Sequence, residues 1–582
     1  MKVPATGRYL RERVVATQAA FSSKEGFKKA LLVEQSEGFS KAHSGWWTWS
    51  NAHMDPTPPE ERTWRWYNFA MLWWAYGFST GVWTIGSAMI ASGLTAWQSI
   101  ICVFIAHLLG AIAIVANSRF GATYHIGYPV YQRISFGVFG SLFPILLRCG
   151  TGIVWVGVQL YQGGKFTSVI IRCIFGNGWK RIPNTIPVKS QITVTDLGGT
   201  LIFWAITLPL LFMKIHKTRW LWTIKAFVLP PCVIGLFIYT QILHKSDGDT
   251  DFKTIKGFSG STLAWMMLKS INSAMGKTSP SQVNQPDLAR YATTRSAPFW
   301  SQLLALPIAN TAVACLGIFA TSSTYAAWGT LIWNPWDLCS AILDKHFTPG
   351  VRFAVFLVSF SFTLSIFVSN QAANVIPFGA DITAICPKIL NINRGQLLAY
   401  CLALCICPWY ILNSATSFMT FLSGYSIFLG PIVGISCADY FWRRGNIHVP
   451  SLYTGQKTGH YYYTYGVSWR AQLAFWVGCA PTLPGFAGTF GHKMPVGVVH
   501  LFYIGWLFSI VTSALLYTMI CKIYPPKHMT EARQAGFEQF ADDQRAMLDY
   551  ETSPRDDMDE EDDAIDDEKG GQDIAIIREV KE

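Results

Sequence analysis

The sequence predicts an all-α membrane protein of about twelve transmembrane helices, and three observations carry that expectation. The chain of 582 residues is 51% hydrophobic and only 14% charged, whereas soluble domains carry roughly 25% charged residues. Apolar runs of the length a bilayer requires, about 20 residues each, recur along most of it. Its acidic residues collect at the two ends, and no glutamate stands between Glu61 and Glu531.

The candidate spans fall near 67–90, 95–116, 137–171, 195–213, 220–243 and 258–277. A second set follows near 298–321, 351–378, 395–412, 414–438, 470–488 and 497–521. The third is long enough to tilt or to extend beyond the bilayer. An even number of spans puts both chain ends on one side. "KIHKTRW", "YFWRRGN" and the loop with Arg290 and Arg295 share that side. The opposing Lys180, Arg181, Lys245 and Lys253 are accompanied by Asp247, Asp249 and Asp251. The bias of basic residues toward cytoplasmic loops then predicts a multi-pass protein with both termini cytoplasmic, and the plasma membrane is its expected location.

Three regions result. Residues 1–65 form an N-terminal arm, 66–524 the membrane core and 525–582 an acidic tail. The tail contains "DDMDEEDDAIDDEKGG", too charged to bury a core, and is expected to be largely disordered. The N-terminal stretch has basic residues but no apolar signal-peptide segment, so the first span is expected to direct insertion. The 13 cysteines show no spacing of a disulfide framework or metal site. Those inside apolar runs, such as Cys401, Cys405 and Cys407, read as small packing residues.

Taken in order, the first span is punctuated by "YGFSTGVWTIGSAM" (76–89) and the eighth ends in "VSNQAANVIPFG" (368–379). Interrupted or polar helices at membrane depth occur where backbone lines a cavity or an ion site, which suits a transporter built from repeated halves. The third span carries "GIVWVGVQLYQGGK", in which Trp155 and Gln159 are four apart and share a face, with Gly152 beside them. An indole can stack on a flat ring, and an amide can read a ring edge that alternates N–H and C=O.

The sixth span holds Lys269, costly at such depth unless it snorkels or meets a partner. It is a candidate substrate contact, gate or stand-in for a bound cation, with Trp265 one turn earlier as an aromatic wall. Beyond it, "NQPDLARY" sets Asp287 and Arg290 three apart, a spacing that fits an ion pair in a gate as well as a plain surface pair. In the eighth span Asn370 and Asn374 share a face, and Asp381 lies seven residues further along it. Buried amides require partners. For Gln371, which points elsewhere, interhelical hydrogen bonding is the favoured reading.

Few carboxylates are available for proton coupling, and Asp381 is the candidate among them. Sodium would instead want hydroxyls and carbonyls at the broken first and eighth helices, where Ser365, Ser369 and Thr84 stand. Residue chemistry alone leaves the ion open. No Walker loop, metal-ligand cluster or nucleophile elbow occurs, so neither an enzyme, a catalytic residue, a metal site nor a bound cofactor is expected. The +11 charge is scattered among membrane loops and implies no nucleic-acid partner.

Together these stretches resemble the nucleobase–cation symport family, first branch, and within it the fungal uracil/allantoin/uridine permeases. The likeness rests on "WVGVQ" (155–159), "NQPDLARY" (284–291), "WNPWDL" (333–338) and "SNQAANVIPFGADI" (369–382). It implies a five-plus-five inverted-repeat transporter fold with two extra C-terminal helices. It further implies alternating-access import of a nucleobase-related heterocycle, driven by protons in fungal members and by sodium in the bacterial hydantoin carrier. Trp155 takes the role of the stacking aromatic, while Gln159 and Asn374 take that of hydrogen-bonders to the ring edge. Lys269 and Asp381 fall where coupling or gating residues are expected. Val368-Ser369 stands where the sodium-coupled carrier has consecutive hydroxyls, which favours a co-transported proton over sodium.

Uracil and allantoin are the expected solutes. Thiamine, a nucleoside or nicotinamide riboside on the same fold is the alternative, and a nutrient receptor without transport a further one. The polar ends resemble arms that control endocytic turnover, with Lys569 or Lys581 as sites for the ubiquitylation machinery.

Overall fold

The computed structural model describes Ser50 and residues 53–212, 219–246 and 257–549. Lys569 and Lys581, most of the N-terminal arm and the last 33 residues of the acidic tail (550–582) lie outside these. Among the described residues the regular backbone is helical, apart from two isolated bridges.

The first span is two helices, α1 (Trp66–Gly77) and α2 (Thr80–Ala91). They are separated by Phe78 and by Ser79 in extended conformation (φ −146°, ψ 153°). α3 (Ala96–Tyr124) starts at a capping box between Thr95 and Gln98, which satisfies two of the free donors of its first turn. The short α4 (Tyr128–Phe136) connects it to α5 (Leu142–Phe175). With 34 residues, α5 outruns the bilayer core at about 1.5 Å per residue. α6 (Val194–Thr207) and α7 (Arg219–Ser246) complete the first half.

The second half repeats this plan. α8 (Gly260–Val283) and α9 (Gln285–Ala289) form the sixth span, followed by α10 (Ala297–Trp328). α11 (Pro335–Lys345) is a connecting helix. α12 (Pro349–Asn370) passes through a π-helical turn at Gln371–Val375 into α13 (Ile376–Ile385). α14 (Ile392–Cys405), α15 (Trp409–Leu412) and α16 (Ala415–Trp442) follow. The two further spans are α17 (Trp469–Cys479) with α18 (Leu483–Gly488), and α19 (Val496–Tyr503) with α20 (Gly505–Ile523).

Eight spans among the described residues are individually long and apolar enough to cross a membrane. The broken first span, α8, α14–α15 and α17–α18 supply the rest of about twelve. Because each half has an odd number of spans, the halves face the bilayer in opposite senses, which makes the five-plus-five repeat inverted. α3 packs on α8 and α10, and α10 on α1 and α2. α5 packs instead on α6, α12, α13 and α14.

The described part of the C-terminal tail is helical. Residues 529–548 form α21 (Met529–Gln534), α22 (Gln539–Asp543) and α23 (Arg545–Leu548). They fold onto the side of the bundle that holds both ends of the core, here the proximal side. The physical reason is local: the charge run begins only after residue 549, while Met529, Ala532, Ala541 and Leu548 are buried.

Candidate functional site

A cavity opens where the break in the first span faces the π-turn of the eighth. Tyr76, Ser79, Thr80 and Gly81 line it from the break, and Trp155, Gln159 and Gln162 from α5. α8 contributes Lys277, Pro280 and Ser281; the eighth span contributes Ser365, Ile366, Ser369, Ala373 and Asn374. The π-turn, one residue wider than an α-turn, opens the helix at this depth, as such bulges do at functional sites.

Five residues singled out by sequence therefore converge: Trp155, Gln159, Ser365, Ser369 and Asn374. Trp155 belongs to an aromatic group with Phe421 and Tyr425, whose ring centroids lie 6.0 and 6.3 Å away. Asn374 donates from Nδ2 to Oδ1 of Asn370 at 2.9 Å, leaving its own carbonyl oxygen for the cavity. Asn370 stands behind this wall and donates to the carbonyl of Val156 at 3.4 Å. It orients Asn374 and does not line the cavity. Gln371 donates to Oε1 of Gln396 on α14 at 2.9 Å, an interhelical bond.

The structure places Trp265 and Lys269 elsewhere. Trp265 stacks on His500 with centroids 3.9 Å apart. The Lys269 ammonium sits 5.3 Å over the ring of Tyr503. Both contacts run to α19, away from the cavity. The lysine that reaches it is Lys277, two turns further along α8. It is 6% exposed, its Nζ lies 4.7 Å over the ring of Tyr76, and among the described residues that Nζ has no hydrogen-bond partner. Gly81 makes room for it, since a Cβ there would lie 3.2 Å from Lys277 Cε. Gln162 accepts from Thr80 at 3.0 Å and keeps Nε2 unpaired.

A second unforeseen lysine stands behind Ser369. Lys225, buried on α7, donates from Nζ to Ser369 Oγ at 2.7 Å. Ser365 Oγ reaches the carbonyl of Phe78 at the break at 3.4 Å. Thr84 turns back to the carbonyls of Thr80 and Gly81 at 2.9 and 3.2 Å. The hydroxyls and carbonyls that sequence reading assigned to sodium thus have an ammonium bonded to one of them.

Asp381 lies in a separate layer. It is 0% exposed and does not line the cavity; its Oδ2 accepts from Arg148 Nη1 at 2.6 Å. Asp381 is seven residues past Asn374 and Arg148 seven before Trp155, so the pair sits about 10 Å to the proximal side of the cavity. Asp287 joins this layer and accepts from the backbone N–H of Tyr128 at 2.7 Å. Arg290 turns the other way, donating to Thr57 Oγ1 and to the carbonyls of His53 and Asp55. It thereby ties the N-terminal segment to the proximal face.

An interrupted-helix bundle with a polar cavity at the interruption defines a class: a membrane transporter of the five-plus-five inverted-repeat fold. Residues 56–508 match the family described as "Permease for cytosine/purines, uracil, thiamine, allantoin", and the chain belongs to that family of nucleobase–cation symporters. Its relatives include the allantoin permease of Saccharomyces cerevisiae, 36% identical over 82% of this chain and 76% of that permease. The uracil permease of the same yeast is 33% identical over 89% of this chain and 82% of its own length. Among solved structures it is similar to Mhp1, a nucleobase-cation-symport-1 family transporter, in a closed conformation with bromovinylhydantoin bound. The TM-score is 0.63 at 20% identity, covering 84% of this chain and 99% of Mhp1. That likeness shows the fold.

Proposed function

We propose that this permease imports a neutral, carbonyl-rich heterocycle of the uracil or allantoin type by proton symport. The observation that carries the reading is the set of groups around one cavity: an indole face at Trp155, amides at Gln159 and Asn374, and a buried, unbonded ammonium at Lys277. Such a ring offers carbonyl oxygens to Lys277 and Gln162 and an N–H to the carbonyl of Asn374, while Trp155 covers its face. A buried ammonium repels a thiazolium or a nicotinamide cation, which weighs against thiamine and nicotinamide riboside. Relatives named as allantoin and uracil permeases favour the same solutes.

Two features support proton over sodium. Lys225 already offers its cation to Ser369, and Asp381 with Arg148 forms a buried ionisable pair between the cavity and the proximal side. The proximal side is taken as cytoplasmic, in line with the distribution of basic residues, and the plasma membrane is the location we propose. The test is uptake of labelled uracil and allantoin by cells lacking their own carriers, at external pH 5.5 and 7.5, with and without sodium. Saturable uptake that rises at acid pH and ignores sodium is the expected result. Sodium-dependent uptake would overturn the coupling, and absence of uptake of both solutes from protein at the surface would overturn the solute class.

A further inference from the structure

The only glutamate of the chain that is buried among the described residues lies outside the membrane core, in the C-terminal segment. Glu538 is 1% exposed. It has a left-handed backbone (φ 57°) just before α22, a conformation unfavourable for a non-glycine residue, and its side chain is directed into the bundle. Its carboxylate accepts from Arg119 Nε and Nη2 at 2.6 and 2.8 Å, a paired geometry that is among the stronger charge-assisted contacts. Tyr440 OH donates to it at 2.7 Å and Thr123 Oγ1 at 3.2 Å, and Arg295 Nη1 lies 3.3 Å away.

These partners come from three places. Arg119 and Thr123 end α3, Arg295 precedes α10, and Tyr440 ends α16. α3 and α10 pack on the interrupted first and sixth spans that line the cavity, whereas α16 is the last helix of the second repeat. The backbone around the carboxylate is pinned as well. Glu538 N–H donates to the carbonyl of Arg444 at 2.8 Å, and Asn446 Nδ2 donates to the carbonyls of Ala532 and Gly536 at 2.8 and 2.7 Å. Any motion that separates the proximal ends of α3 and α10 from that of α16 must break contacts to this one carboxylate.

We propose that Glu538 is a positioning residue of the transport cycle, a gate element carried by the C-terminal segment that holds the proximal side closed. It acts through α3, α10 and α16 and touches no solute, so the inference rests on the transporter fold and not on which heterocycle is carried. Opening of the cavity to the proximal side then requires release of this carboxylate, and its neutralisation favours the open form.

The test is hydrogen–deuterium exchange on the purified full chain, without solute, comparing the native protein with Glu538→Gln. The expected result is at least fivefold faster exchange in α4 and α9, which line the proximal side, as well as in residues 529–549. α6, remote from the contact, reports global stability and should be unchanged. Acceleration confined to residues 529–549 would make the segment mere packing and overturn the proposal, as would no change at all. If Glu538→Gln fails to fold, Arg119→Gln probes the same contact from the other side in the same assay.

Discussion

Asn374 keeps its orientation through Asn370, and that dependence makes the two amides separable by mutation. Asn374→Ala removes the cavity-facing carbonyl and leaves the solute with an unmatched donor, a loss of about 1–3 kcal/mol. The expected outcome is a tenfold or greater rise in the half-saturating concentration for uptake with normal surface amounts; an unchanged value would remove Asn374 from the site. Asn370→Ala should act more mildly, since it frees the Asn374 side chain without deleting it. Lys225→Met tests coupling at the same scale. Uptake that keeps its full rise between pH 7.5 and 5.5 in this variant would dismiss Lys225 from the coupling path, whereas a flattened profile is expected. The four-residue spacings of Trp155 with Gln159 and of Asn370 with Asn374 made those faces legible in the sequence, because side chains four apart lie on one side of a helix. Seven-residue spacing keeps Asp381 on the face of Asn374 but sets it about 10 Å along the axis, in the layer of Arg148, a partner that the spacing alone does not reveal.

At the scale of elements, span positions were legible wherever hydropathy was high, and depth was not where it was low. The inner half of α8 reads "INSAMGKTSPSQV" (271–283), so an apolar window ends near Lys277 and makes Lys269 look like the intramembrane lysine. The buried run of Ser270, Asn272, Ser273, Thr278 and Ser279 shows why a hydropathy window fails there: these polar residues are buried in the bundle and not in lipid. Thr278 and Ser279 bond back to the carbonyl of Met275, and Asn272 Oδ1 accepts from the backbone N–H of Trp506 at 2.8 Å. Ser273 bonds to the carbonyl of Met419 at 3.0 Å and to Ser423 at 2.8 Å across the α8–α16 contact. The π-turn was legible only as a cluster of amides before Pro377, since no spacing rule marks a single wide turn. The tightness of the α8–α16 crossing can be tested at Gly276, where an added Cβ would lie 2.1 Å from the carbonyl oxygen of Leu422. Backbone must shift to admit it, and overpacking of this kind costs about 1–3 kcal/mol. Gly276→Ala is therefore expected to lower the unfolding midpoint in detergent and the surface amount in cells. A thermal profile identical to that of the native protein would mean that the two helices separate freely at this point.

Across the whole molecule the core is joined to its C-terminal segment by histidines that make the joint sensitive to pH. His460 stacks on His528 with centroids 3.6 Å apart and lies 4.4 Å from His448. Burial pushes His460 down to about 4, and His448, His528 and Arg443 add to the shift. His448 is lowered by burial and by His528, with Glu531 pulling it the other way. An imidazole in the undocked chain titrates near 6.5, so at pH values between about 4 and 6.5 the undocked state binds more protons than the docked one. Stability of the joint is then full above about pH 6.5 and falls as the pH drops toward the folded value. Acidification from pH 7.5 to 5.5 should accordingly loosen residues 525–549 before the membrane core responds. Limited proteolysis after Lys527 and Arg533 is the measurement. Cleavage is expected to quicken several-fold at pH 5.5, after correction for the intrinsic activity of the protease on a peptide substrate. His460→Gln, which cannot take up the proton, should flatten that dependence. If the variant keeps the native pH response, the pH dependence of the docking is governed by groups other than this stack.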